Sequence, residues 1–287
     1  MADFYFSKFP IIQYQNTACR DISRRAKFSP ETLKNLSRYY EVEVRDGTRA
    51  DLIAFGYYDD PSVDWMIYLA NEIVDPYYQW HLSTQDFEKF LVKKYGSVAN
   101  AQKKIAYYRN NWYDDYTQLT PEHYDNNIVQ EWKKYYQPVF GNGTRILSWK
   151  RREEDWVVAT NKIYKFEIAN TADYVVGELV DVIDNATRVG GGEITAIDDE
   201  YIMIKNIDGA FEANNIVTGE TSEREEEIVT PTLVYEAITE DEGVFWSPVT
   251  CYNLEEERNA YNQQIRVLER NDILDVSLAL ANKLTEE

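Results

Sequence analysis

The sequence predicts an α+β protein with a strand-helix-helix unit, additional helices and a small inserted module that is β-barrel-like. Residues 41–45 alternate between charged and apolar side chains, which predicts a strand. Two helix-start signals follow it at short spacing. From about residue 175 to residue 229, Val, Ile, Thr and Gly are concentrated between recurring turn dipeptides, a pattern typical of several short strands.

Helix starts are marked by residues that cap the first turn. Thr48 to Asp51 and Ser83 to Asp86 each have the pattern of a capping box, and Asp60-Pro61 combines an N-cap with proline at the first helical position. Further helices are predicted from Ser97 through Tyr108, from Thr120 through Tyr135, and over residues 254–268.

These signals divide the chain into five predicted regions. They are an N-terminal arm (1–40), a strand-helix-helix core (41–97), a helical and connecting region (98–170), the inserted β module (171–230), and a C-terminal strand with a helical tail (231–287). Within the module, Gly190-Gly191-Gly192 is interpreted as a flexible turn that precedes a strand.

The charge of the chain excludes several classes of partner. Fifty acidic residues against 30 basic ones give a formal net charge of −20, so the surface repels nucleic-acid phosphates and anionic membranes. No apolar run approaches the roughly 20 residues that cross a bilayer. The first residues lack the pattern of a secretory signal, and synthesis in the cytosol is expected.

The sequence predicts no catalytic, cofactor-binding or metal-binding residue. His81 follows an aromatic turn and His123 starts a helix, and neither accompanies a nucleophile motif. Cys19 and Cys251 lie far apart without metal-ligand spacing, and a disulfide between them is not expected. We therefore expect a protein that is not an enzyme and that takes no cofactor or small-molecule substrate.

The most informative segment runs from residue 40 to residue 97. It contains Asp46-Gly47-Thr48, Asp51-Leu52-Ile53-Ala54, a Pro61-anchored helix, Asn71-x-Ile73 and Asp75-Pro76-Tyr77. This spacing resembles the LysM-like core of the baseplate wedge subunit family of contractile-tailed, T4-like bacteriophages. The stretch 255–268, which ends Ile265-Arg266-Val267-Leu268, also resembles that family.

The resemblance implies a structural wedge protein of a contractile tail. Such a subunit would bind other wedge proteins and sheath-initiating tail proteins, and would help neighbouring wedges to join during baseplate assembly. Its location would be the tail baseplate of the virion, after assembly in the host cytoplasm.

Candidate contact residues lie in the aromatic N-terminal arm, in the aromatic turn at residues 77–80 and at the end of the predicted C-terminal helix. Tyr and Trp are enriched in protein interfaces, and the chain has 23 Tyr and 7 Trp. The candidates are Phe4, Tyr5, Phe6, Phe9, Tyr14, Tyr77, Tyr78, Trp80, Ile265, Arg266 and Leu268. Either the N-terminal arm or the C-terminal helix is expected to be poorly ordered in the isolated subunit.

A LysM-type module that binds peptidoglycan or chitin is the alternative. In that interpretation Tyr57, Trp65, Tyr77 and Trp80 would stack on sugar rings.

Overall fold

The computed structural model describes residues 5–24, 26–114, 117–141, 143–152 and 156–285. The chain divides into two compact units, one formed by residues 1–94 together with 255–287 and the other by residues 95–254. Because residues 95–254 lie between the two parts of the first unit, that unit is discontinuous in sequence.

Runs of helices and runs of strands follow one another along the described residues, which is typical of an α+β fold. The α-helices are α1 (Pro30–Lys34), α2 (Ala50–Tyr58), α3 (Asp64–Ala70), α4 (Thr84–Tyr95), α5 (Val98–Lys103), α6 (Pro121–Asn127), α7 (Cys251–Tyr261) and α8 (Ile273–Thr285). The strands up to the β module are β1 (Ile11–Tyr14), β2 (Thr17–Arg20), β3 (Tyr39–Glu43), β4 (Ile105–Asn110), β5 (Gln118–Leu119), β6 (Tyr136–Phe140), β7 (Ile146–Arg151) and β8 (Val157–Val158). The remaining strands are β9 (Lys162–Ile168), β10 (Leu179–Asp184), β11 (Thr187–Ile197), β12 (Tyr201–Gly209), β13 (Ile216–Gly219), β14 (Glu225–Glu236), β15 (Trp246–Thr250) and β16 (Gln264–Leu268).

The first unit is built on an antiparallel pair of strands from distant parts of the chain. β3 pairs with β16, in a register that places Val42 opposite Ile265 and Tyr40 opposite Val267. Helices α2 and α3 follow β3 directly, and their buried residues Ala54 and Ile67 pack in one cluster with Ile265 and Val267. The order strand-helix-helix is therefore confirmed, and β16 completes the sheet.

The side chain of Asn71 joins the end of α3 to β16. Its amide nitrogen donates to the carbonyls of Ile67 and Arg266, each at 2.8 Å, and its amide oxygen accepts from the backbone N–H of Arg266 at 2.7 Å. A side-chain amide can satisfy a backbone donor and acceptor together in this way. Asn71 thus occupies the place where another strand would pair with Arg266.

A second cluster in this unit packs both ends of the chain together. Phe9, Trp65, Met66, Leu280 and Leu284 are all buried in it. The tail helix α8 therefore packs on this chain. This shared cluster would have to open for either end to be poorly ordered in the isolated subunit, so that expectation stays a prediction that hydrogen exchange on the free protein tests.

The predicted helix over residues 254–268 is wrong in its second half. Helix α7 ends at Tyr261, and residues 264–268 form β16. The reason is tertiary, because alternating Ile265 and Val267 side chains are buried against α2 and α3 while Gln264 and Arg266 point away. A helix would bury only part of that set.

Two other predicted helices are shorter than expected. α5 ends at Lys103 and is followed by β4, which pairs with β15. α6 ends at Asn127, and Tyr135 lies in a separate 3-10 turn. The β-branched and aromatic residues of 105–110 favour a strand once a partner strand is available.

The two predicted capping boxes differ in outcome. Ser83 accepts from the N–H of Asp86 and donates to its carboxylate, so this box is confirmed. The box at Thr48 is wrong, because α2 has Arg49 at its N-cap and no side-chain cap bond.

The β module is a closed six-stranded barrel with strand order β10-β11-β12-β9-β14-β13. Its strands extend beyond both ends of the region 171–230, since β9 begins at Lys162 and β14 ends at Glu236. Alternate side chains point inward and fill the interior. Those that are almost fully buried are Phe166, Val180, Val182, Ile194, Ile202, Ile204, Val217 and Ile228.

The glycines at positions 190 and 191 are explained by the close approach of the backbones of β11 and β12. Gly190 and Gly191 lie inside β11, opposite Gly209 and Asp208 of β12, so the interpretation as a turn is wrong. A Cβ atom on Gly190 would lie 1.9 Å from the carbonyl oxygen of Asp208. Only glycine permits the two strands to approach in this way.

The buried carboxylate of Glu178 holds the loop between β13 and β14 through hydrogen bonds. Glu178 is only 4% exposed, and it accepts backbone hydrogen bonds from Val175 at 3.0 Å, Thr221 at 2.8 Å and Ser222 at 2.5 Å. Burial by itself would raise the pKa of Glu178, but these donors outweigh burial and hold that pKa below its usual value.

The remaining part of the second unit has an aromatic core. Two three-stranded sheets, β15-β4-β8 and β5-β7-β6, surround it. Its buried members are Tyr108, Trp112, Tyr124, Tyr135, Tyr136, Ile238 and Trp246. Many of the chain's aromatic residues are therefore core residues.

Replacing Asn71 by Ala tests the link between α3 and β16. We expect the free energy of opening β16 to fall by about 2–3 kcal/mol, because the variant loses three hydrogen bonds and leaves backbone groups of Arg266 without these partners. Hydrogen exchange of peptides from β3 and β16 measures this change. Asn271→Ala, at an exposed position, is the control, and equal exchange in both variants would contradict the assignment.

Replacing Gly190 by Ala tests the close approach of β11 and β12. We expect the barrel to lose about 1–3 kcal/mol of stability, since either strand must move to admit the methyl group. Urea unfolding followed by exchange of barrel peptides gives the value. Gly243→Ala is the control, because no atom lies within 4 Å of its added Cβ; a barrel equally stable in both variants would refute the steric argument.

Replacing Glu178 by Gln tests the buried carboxylate through pH. Because the folded pKa lies below the unfolded value of about 4.3, the carboxylate stabilises the barrel fully above that pH and loses this effect as pH falls through the folded pKa. We expect the variant to be less stable by about 2 kcal/mol at neutral pH. The difference from the unchanged protein should shrink on acidification; a difference independent of pH would disagree with this account.

Candidate interaction surface

An apolar groove of about 630 Å³ lies on the first unit, and we call it the aromatic groove. It lies where the N-terminal residues meet α3 and the loop after α3. Its apolar lining consists of Tyr5, Phe6, Ala26, Phe28, Pro61, Trp65, Tyr68, Leu69, Ile73, Val74 and Pro76, and its polar lining of Lys27, Ser62, Asp64 and Glu72. A concave apolar lining with few polar groups is typical of a surface that binds another molecule.

The N-terminal wall of the groove is held by aromatic packing. The ring of Tyr5 lies 5.5 Å from that of Trp65 and 5.0 Å from that of Phe9, centroid to centroid. Phe9 is buried, so it fixes this wall from below. Phe6, in contrast, is 59% exposed and faces solvent at the rim.

The other wall ends in a rigid turn that presents Tyr77. The side-chain oxygen of Gln79 accepts from the N–H groups of Val74 and Asp75 at 2.7 and 2.9 Å, and Asp75 accepts from the N–H of Tyr77 at 2.9 Å. Tyr77 is nevertheless 83% exposed. A large aromatic side chain held out on a fixed turn loses little entropy when it binds a partner.

Three side chains of the groove lining, Lys27, Asp64 and Glu72, can carry a charge. Burial raises the pKa of Asp64 above its usual value, and the nearby Asp51 carboxylate adds to the rise. Lys27 and Glu72 are both exposed at the groove. The groove therefore combines an apolar lining with a mixed, weakly charged rim.

Two predicted contact residues, Tyr78 and Trp80, are not part of the groove lining. Tyr78 is half exposed, and its hydroxyl accepts from Lys93 at 3.3 Å while its ring packs against Phe90. Trp80 is half buried, and its indole N–H donates to the carbonyl of Thr48 at 2.8 Å. Trp80 therefore supports the fold.

The structure separates the remaining candidates into buried and exposed residues. Phe9, Ile265 and Leu268 are buried in the clusters of this chain, where no partner can reach them. Arg266 is half buried in β16, and Tyr14 is exposed on β1. Phe4 lies outside the described residues.

The four rings considered for sugar stacking do not form an exposed platform. Trp65 is buried, Tyr57 and Trp80 are half buried, and only Tyr77 of the four is fully exposed. Stacking on a sugar requires an open ring face, so this arrangement gives the glycan hypothesis no support.

Several groove residues were not predicted from the sequence. Phe28, Tyr68 and Val74 line the groove, but they are far apart in sequence and belong to different elements. Exposed Val74 next to Asp75-Pro76 is the one local signal, since a turn that carries apolar residues often marks a contact.

The residues that the structure describes include neither a helix that could span a membrane nor a cluster that could bind a metal ion. Within them, no helix is long and apolar enough to span a bilayer. Nor do the described His, Cys, Asp and Glu side chains form a group of three or more that could hold a metal ion.

Comparison with known proteins gives one family match. Residues 20–137 match the family described as base plate wedge protein 53, which confirms the resemblance of this segment to the baseplate wedge family. No curated protein matches the chain significantly. The family match supports a structural role in a phage tail baseplate and implies assembly with other baseplate proteins.

Proposed function

We propose that this chain, which carries a segment of the base plate wedge protein 53 family, binds other wedge subunits of a contractile tail and helps neighbouring wedges to join. The observation that supports the proposal most directly is the aromatic groove, whose lining residue Pro76 is followed by the exposed Tyr77. The likeness of the strand-helix-helix core to a LysM module remains part of the proposal.

The rigid walls of the groove suit a subunit to which other proteins bind. The groove walls are fixed by Phe9 and Trp65 on one side and by the Gln79 hydrogen bonds on the other. Preformed aromatic anchors give most of the binding energy in stable interfaces. The protein in this proposal supplies a rigid contact surface and performs no reaction.

Sheath-initiating tail proteins are included among the proposed partners. Permanent assemblies use interfaces of roughly 2,000 Å² or more, so the groove would form only the centre of such a contact. We place assembly in the host cytoplasm, before the baseplate becomes part of the virion.

Replacing Tyr77 by Ala tests the groove as a contact surface. We expect incorporation into baseplates, reconstituted with the other tail proteins of the same phage, to fall by at least about tenfold, which corresponds to roughly 1.4 kcal/mol. Sedimentation of the assembled particles gives the measurement. The melting temperature should not change, because the ring is exposed.

Tyr261→Ala is the matched control, since Tyr261 is 81% exposed in the same unit. It should leave incorporation within about twofold of the unchanged protein. Failure of the unchanged protein to enter baseplates, together with tight binding of a chitooligosaccharide, would reject the proposal in favour of a glycan-binding module.

A further inference from the structure

The β1–β2 hairpin is a regular two-stranded sheet near the N-terminus. Tyr14 pairs with Thr17 across the turn, and Ile11 pairs with Arg20 at the base. The two turn residues, Gln15 and Asn16, have φ values of 46° and 63°. Positive φ at both positions is the signature of a type I′ turn, which matches the twist of a hairpin.

Both faces of the hairpin are exposed. Ile11 and Tyr14 are 68% and 62% exposed, and Cys19 is the only one of its eight strand residues that is partly covered. An isolated two-stranded hairpin is at best marginally stable in water. This segment therefore exposes apolar side chains and an unsupported sheet, a combination that gains stability when a partner covers it.

The outer edge of β1 is open to another strand. In an antiparallel hairpin with a two-residue turn, the pair next to the turn is hydrogen-bonded, and the bonding alternates from there. The backbone groups of Ile11 and Gln13 consequently point away from β2. Among the residues that the structure describes, no other strand pairs with β1.

Hydrogen bonds from β2 and the residue after it hold the base of the hairpin to residues 7–10 of the first unit. The guanidinium of Arg20 donates to the carbonyls of Ser7 and Phe9, each at 2.6 Å, and the N–H of Asp21 donates to the carbonyl of Pro10 at 2.9 Å. Because Phe9 is buried in the core of this unit, the hairpin projects from a fixed point.

The sequence segment that carries the hairpin has a net positive charge, opposite in sign to that of the whole chain. Residues 5–28 contain five basic side chains and one acidic side chain, although the chain has a net charge of −20. These charged residues are Lys8, Arg20, Asp21, Arg24, Arg25 and Lys27. A partner that carries acidic residues beside its strand is therefore favoured at this position.

We infer that β1 is a docking edge for a strand of a neighbouring baseplate protein, and that acidic residues flank that strand. The incoming strand forms backbone hydrogen bonds with Ile11 and Gln13 and covers Ile12 and Tyr14. Backbone hydrogen bonds supply affinity in this mode of binding, and the side chains supply specificity. The inference rests on the proposed function, but β1 precedes the segment that matches the family.

Substitution of Gln13 separates an edge contact from a side-chain contact. Gln13→Pro removes the outward N–H and should reduce incorporation into reconstituted baseplates by at least about tenfold. Gln13→Ala keeps the N–H and should stay within about twofold of the unchanged protein. Equal incorporation of the two variants would overturn the inference and leave the proposed function intact, whereas failure of the unchanged chain to incorporate would defeat both.

A photo-crosslinking residue at position 14 identifies the partner directly. In assembled baseplates, p-benzoylphenylalanine in place of Tyr14 should label a strand of another baseplate protein that has Asp or Glu beside it, and labelling should decrease several-fold at about 0.5 M salt. A crosslink to a second copy of this chain, or to a segment without acidic residues, would overturn the inference. So would the absence of any crosslink in fully assembled particles.

Discussion

The pairing of β3 with β16 is the interaction on which the first unit depends. Val42 and Ile265 face each other across this two-stranded sheet, although more than 200 residues separate them in sequence. Loop closure over such a distance costs only slightly more than over a short one, because the entropy grows with the logarithm of loop length. The buried Ile265 and Val267, together with the hydrogen bonds of Asn71, offset that cost.

The candidate interaction surface depends on the same unit for its rigidity. Trp65 on α3 contacts the N-terminal residues on one side and shares a core cluster with Leu280 and Leu284 of α8. The groove itself is lined by residues from three stretches of the chain, 5–6, 26–28 and 61–76, and α8 supports Trp65 from the core. Its shape is a property of the closed unit, and no single segment could present it alone.

Sequence patterns correctly predicted the elements whose conformation depends mainly on residues close to them in the chain. The alternation of residues 41–45, the cap at Ser83 and the strand-rich composition of the barrel were all readable because near neighbours determine them. β16 was not, because Ile265 and Val267 fit a helix equally well until β3 and α2 provide a partner and a core. The groove was unpredictable for the same reason, since Phe28 and Tyr68 meet only in three dimensions.

The late position of β16 has a consequence for synthesis on the ribosome. The sheet of the first unit cannot close until residues 264–268 have been made, whereas residues 95–254 are complete earlier and can fold as a unit before that. A chain that stops before residue 264 would lack both β16 and α8, and Trp65 would lose the Leu280 and Leu284 side of its core cluster. Such a chain would therefore also lack the closed unit on which the aromatic groove depends.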